Sequence, residues 1–96
     1  MKLGMDNFDN WLISLDRVTI YDYCWFLIVQ VEAANKDGNS VDIAYNLLSA
    51  SDDGMDKFEI NSESGEITLK DTVNADVVFE YILFVEAQDR RTEIIR

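Results

Sequence analysis

Histidine and proline are absent from this chain, cysteine occurs once, and only four glycines are spread over its 96 residues. Without histidine there is no Ser-His or Cys-His pair, no histidine-based zinc site, and the commonest general base is missing. A single cysteine excludes an intrachain disulfide; Cys24, beside Trp25 and Phe26, reads as a small buried hydrophobe. Basic residues are also few, 8 against 19 acids for a net charge of −11. Nucleic acid is therefore excluded as a partner, because phosphate binding needs a basic face. The apolar run Cys24–Val31 falls far short of the roughly 20 residues of a spanning helix, so it reads as a core strand and no direct membrane insertion is expected. Met1-Lys2-Leu3-Gly4 lacks the apolar centre of a secretory signal, and Met1 reads as the start of a domain excised from a longer protein.

Ninety-six residues make one domain with one modest core. Hydrophobic residues at 48% with 28% charged residues indicate a folded chain. With proline missing, turns fall to Asn, Asp, Ser and the few glycines. Between Trp11 and Tyr23, Ile13 and Leu15, then Val18 and Ile20, lie two apart, which predicts one broken or two short strands interrupted at Asp16-Arg17. Next, Trp25, Leu27, Val29, Val31 and Ala33 share one face of a strand and Ile28, Gln30 and Glu32 the other. Asn35 to Asn39 turn the chain, with Gly38 able to take a positive φ. Val41, Ile43, Tyr45 and Leu47 form a third strand. Phe58-Ile60 and Ile67-Leu69 form a hairpin across Asn61–Gly65, Phe79–Ala87 a long strand, and Thr92–Ile95 the beginning of a final one. No 3.6-residue period is sustained, so no helix beyond one or two turns is expected. Short strands at about ten-residue intervals predict an all-β fold, a Greek-key β-sandwich of about seven antiparallel strands.

Two patterns sharpen this. Phe58, Ile60, Gly65, Ile67 and Leu69 fit F-x-I-x-x-x-x-G-x-I-x-L, and Tyr81, Leu83, Val85, Ala87 and Asp89 fit Y-x-L-x-V-x-A-x-D. Both resemble the signatures of the cadherin repeat, of a divergent cadherin or protocadherin-like protein. The resemblance runs from about Tyr21 to Asp89, so the chain divides into an N-terminal segment, 1–20, with a possible first strand, and a cadherin-like sandwich, 21–96, immunoglobulin-like in architecture. It implies an extracellular repeat of a multi-repeat cell-surface adhesion or receptor protein. Its expected partners are neighbouring repeats and a homophilic or heterophilic protein.

The resemblance also implies calcium, held at junctions between repeats by acids from separated loops, and the surplus of carboxylates here suits a hard divalent cation. The family's A-x-D-x-D-G is similar to Ala33-Ala34-Asn35-Lys36-Asp37-Gly38, which places Asn35 and Asp37 at ligand positions. Its L-D-R-E falls on Val73-Asn74-Ala75-Asp76, giving Asn74 and Asp76. The acid of V-x-E-N is matched by Asp22, and Asp89 is fixed by strand register. Asparagine stands twice where the family has aspartate, and Asp76 is shorter than glutamate, so weak or partial calcium binding is expected. The closing D-x-N-D-x-x-P linker is not found.

Each reading has a plainer alternative. Asn35-Lys36-Asp37-Gly38 makes a tight turn without an ion. Asp52-Asp53-Gly54 and Asp6 to Asp9 read as solvated loop charge, and no EF-hand spacing occurs. Trp11 suits strand exchange between cadherins faintly, and an ordinary core or edge tryptophan better. If Tyr81, Leu83 and Val85 point inward, Ile82 and Phe84 point outward, as does Ile28. Together with Trp11 they are the candidate interface, for adhesion or for a calcium-independent heterophilic ligand. Glu66 and Glu80 sit on strands without a cleft, and no enzyme is expected.

Overall fold

The computed structural model describes residues 2–38 and 42–90. Among these residues, seven strands and one helical turn follow in order: β1 (Lys2–Phe8), β2 (Trp11–Thr19), β3 (Ile28–Asn35), β4 (Ile43–Ala50), α1 (Gly54–Lys57), β5 (Phe58–Ile60), β6 (Glu66–Leu69) and β7 (Glu80–Asp89). They form two sheets, β1-β3-β6-β5 and β2-β7-β4, packed into a sandwich of 49 × 21 × 18 Å. All pairings are antiparallel except that of β1 with β3, which is parallel. β1 and β2 are joined only by Asp9 and Asn10, so the first nineteen residues give one strand to each sheet.

The core comes from period-two alternation on the facing sheets. Val29, Val31 and Ala33 of β3 and Tyr81, Leu83, Val85 and Ala87 of β7 are buried, as are Ile43, Tyr45, Phe58 and Ile67. Phe58 meets Tyr81 edge to face, with ring centroids 5.1 Å apart, a geometry that adds to the area the two rings bury. The β5–β6 hairpin is pinned to β3 at Gly65. Its φ is +76°, its carbonyl accepts the Val31 N–H at 2.9 Å, and a Cβ there would stand 2.5 Å from the Val31 carbonyl oxygen. Only glycine satisfies both the backbone angle and this approach.

Several strand expectations need correction. β2 is continuous through Asp16-Arg17 and pairs with β7 without a bulge. The sequence signal there is a change of face. Ile13 and Leu15 point outward, while Val18 points into the core and Asp16 is buried, accepting a hydrogen bond from the Ser14 hydroxyl at 2.7 Å. Residues 25–27 are not part of a strand. Pairing of β3 with β6 begins at Ile28, and the Cys24 thiol, half-buried rather than buried, donates to the Phe26 carbonyl, so Trp25 lies 73% exposed. Phe79 precedes β7 and is exposed. Val41 and Thr92–Ile95 lie outside the described residues.

Candidate functional site

The six candidate ligand residues separate into two groups. β3 ends at Asn35, opposite Phe8 at the end of β1, and the Asp89 N–H at the end of β7 donates to the Asn10 carbonyl at 3.0 Å. Asn35, Asp37 and Asp89 therefore share one end of the sandwich, with Asp9 and Asp42 in its turns. Asp22, Asn74 and Asp76 share the other. There the chain leaving β2 pairs back through Ile20 with Phe79 and through Cys24 with Val73. A ten-residue strand such as β7 puts roughly 30 Å between the two groups.

At the first end the polar groups are built into the fold. Asn35 is 0% exposed and Asp89 2% exposed, and neither they nor Asp37 lacks a partner. Asn35 Oδ1 accepts the Asp37 N–H at 3.0 Å and its backbone carbonyl accepts the Gly38 N–H at 2.8 Å. Burying a carboxylate and an amide at strand ends is costly unless they are hydrogen-bonded, so this turn holds a fixed set of oxygens.

At the second end the same turn chemistry recurs in looser surroundings. Asn74 Oδ1 accepts the Asp76 N–H at 2.9 Å, but Asn74 is half-buried and Asp76 exposed; Asp22 is exposed and accepts the Tyr23 N–H at 2.7 Å. Two further groups brace these loops. The Tyr81 hydroxyl donates to Asp53 at 2.8 Å; burial, and then the adjacent Asp53 carboxylate, push its pKa well above the ordinary tyrosine value. Asp71 accepts the Thr72 N–H at 2.7 Å and pairs with Lys57 at 3.3 Å, which together hold its carboxyl below the usual range. Asp53, expected as solvated loop charge, thus anchors a core tyrosine.

Among the described residues, no group of three or more His, Cys, Asp or Glu stands close enough to hold a metal ion. The donors at both ends are nonetheless all oxygens, the set that hard cations select.

The candidate interface residues lie on edges and outer faces. Trp11 is on the edge strand β2 and its indole N–H donates to Glu86 at 2.6 Å. Phe84 is exposed, Ile82 half-buried beside it, and Ile28 is exposed on the other sheet. Two neighbours escaped the sequence reading, Ile13 and Leu15, the latter directly opposite Phe84. The phase change at Asp16-Arg17 was their signal.

Comparison with known proteins matches the profile of the Cadherin domain to residues 27–94. The chain belongs to this family. Protocadherin gamma-B2 of Homo sapiens and of Pan troglodytes are each 32% identical to it over 65 residues, 67% of this cadherin domain and 7% of either relative. The domain thus spans a small fraction of the curated relatives it matches. No solved structure matches it. Among the described residues of this cadherin domain, no helix is long and apolar enough to cross a membrane.

Proposed function

We propose that this cadherin domain serves as an extracellular adhesion repeat of a longer multi-repeat protein, with calcium shared between it and its neighbours at both ends. The observation that carries this reading is the division of the oxygen donors, with Asn35, Asp37 and Asp89 at one end and Asp22, Asn74 and Asp76 at the other. Among the described residues, neither end gathers three or more acids close enough to hold an ion by itself. A donor set split in this way suits two ions, each completed by the adjoining repeat. Asn35 and Asp89, held by the strand ends, supply fixed oxygens with Asp37 exposed beside them; Asp22 and Asp76 supply exposed carboxylates that can turn toward a neighbour. Bound calcium would neutralise these carboxylates and so stiffen the junctions. Asparagine in place of aspartate lowers the ligand charge and hence the affinity.

Melting the isolated domain and a tandem with its adjoining repeat, in chelator, millimolar calcium and millimolar magnesium, tests the proposal. Saturation at ~100 times Kd adds ~2.7 kcal/mol, so the tandem should gain several degrees in calcium alone, and the isolated domain less. A tandem indifferent to calcium would overturn it.

A second reading draws on the outward apolar strip of Ile13, Leu15, Phe84 and Ile82, namely calcium-independent recognition of a heterophilic ligand. Ligand retention in chelator, lost on Phe84→Ser, would favour it.

A further inference from the structure

We propose that the end of the sandwich formed by residues 21–26 and 77–79 docks a basic, arginine-bearing segment of a partner protein. Eight residues, 20–27, link β2 to β3 with no ladder beyond the single Cys24–Val73 bridge, and they hold four aromatic side chains. All four are turned to solvent: Tyr21 is 88% exposed, and Tyr23, Trp25 and Phe26 are each more than half exposed. The Ile20 N–H bond to the Phe79 carbonyl, 2.7 Å, brings a second exposed segment alongside, with Val77 and Phe79. Aromatic residues supply much of the binding energy of protein interfaces, and large apolar side chains exposed on adjoining segments mark an interaction site.

Charge selects the occupant. The loops at this end expose Asp22, Asp52, Asp71 and Asp76, whereas Lys57 is engaged by Asp71 and Asp53, and Arg17 by Glu80, which leaves Lys70 as the one other base among the described residues of this end. A second copy, itself at −11, is repelled. An anionic lipid surface is repelled for the same reason, since membrane electrostatics reward basic patches. A guanidinium satisfies both features, because it stacks on aromatic faces and pairs bidentately with carboxylates. Trp25 and Phe26 stand 6.0 Å apart and tilted by 49°, two open faces beside Asp22 in the chain. Asp22 and Asp76 are also calcium donors in the function proposed above, so calcium and a guanidinium compete for them, and the surface is open to the guanidinium in chelator.

The test uses the Trp11→Phe variant, in which Trp25 is the sole indole, titrated in chelator with an Arg-Gly repeat peptide, a Lys-Gly peptide of equal charge, and anionic and zwitterionic vesicles. The arginine peptide should change Trp25 emission and bind about fivefold or more tightly than the lysine peptide. By calorimetry on the Trp11→Phe background, Trp25→Ala and Tyr21→Ala, both at exposed positions, should each weaken it about fivefold with unchanged melting temperature. Equal binding of both peptides, indifferent to Trp25→Ala, would reduce the effect to bulk charge and overturn the proposal. So would absence of peptide binding, a Trp25 response to vesicles, self-association abolished by Trp25→Ala, or Trp25 becoming buried in a tandem with the adjoining repeat while the peptide is excluded.

Discussion

The two ends of the sandwich use one turn, Asn-x-Asp with the amide oxygen capping the N–H two residues on, in opposite settings. At Asn35 the turn closes two core strands and the amide is wholly buried; at Asn74 it sits in a loop between exposed aromatic segments. One end is a piece of the core that carries oxygen donors. The other is surface that carries them on short local turns. Local sequence chemistry is the same in both, so what sets the energetic weight of each residue is the number of strands that terminate on it.

The largest test of this contrast compares Asp89→Ala with Asp76→Ala. Loss of a buried, partnered carboxylate should cost about 3 kcal/mol, whereas the exposed one should cost less than about 0.5 kcal/mol, read from urea midpoints at constant m. Equal costs would dissolve the distinction between the ends. Next, Asn35→Ala should cost about 2 kcal/mol and Asn74→Ala about 1 kcal/mol or less, since only the first strands neighbouring polar groups in the core.

Tyr81 offers a third test, at the exposed end. Its hydroxyl pKa in the folded state lies above the unfolded value near 10, so its contribution to stability is complete below that value and is lost as pH rises through the folded one. Tyr81→Phe should cost about 1 kcal/mol at neutral pH and flatten the alkaline decline of the melting temperature. Smallest is Asp71. Its folded pKa is depressed, so its contribution is present above the unfolded value of 3.8 and lost as pH falls through the folded one. Asp71→Asn should flatten only the acid limb of the melting curve, and only slightly, because the pair with Lys57 is solvent-screened.

Much of the fold was legible where alternation is long and one-sided. Tyr81 to Ala87 and the Phe58–Leu69 hairpin are strands as read, because every second residue meets the facing sheet, and the last strand runs on to Asp89. β2 was misread where hydrophobic residues occupy both faces in succession, since a change of phase looks like a break when burial is unknown. Trp25 was misplaced because an aromatic beside a core strand resembles more strand, and the missing ladder partner is invisible in a single sequence. The candidate ligands came from matching motifs, and their sorting into two ends needed the strand pairings that bring Asp89 to Asn10 and Cys24 to Val73. Nothing periodic marks residues 21–26 and 77–79, so their common surface was not legible at all.

The proportions of the body, 49 Å long against 21 and 18 Å across, make it a lever. Anything that grips one end acts at the short arm, and a small angular play there sweeps the far end through a much larger arc. Positional accuracy at the far end therefore depends less on the rigidity of the sandwich than on how firmly its narrow ends are clamped.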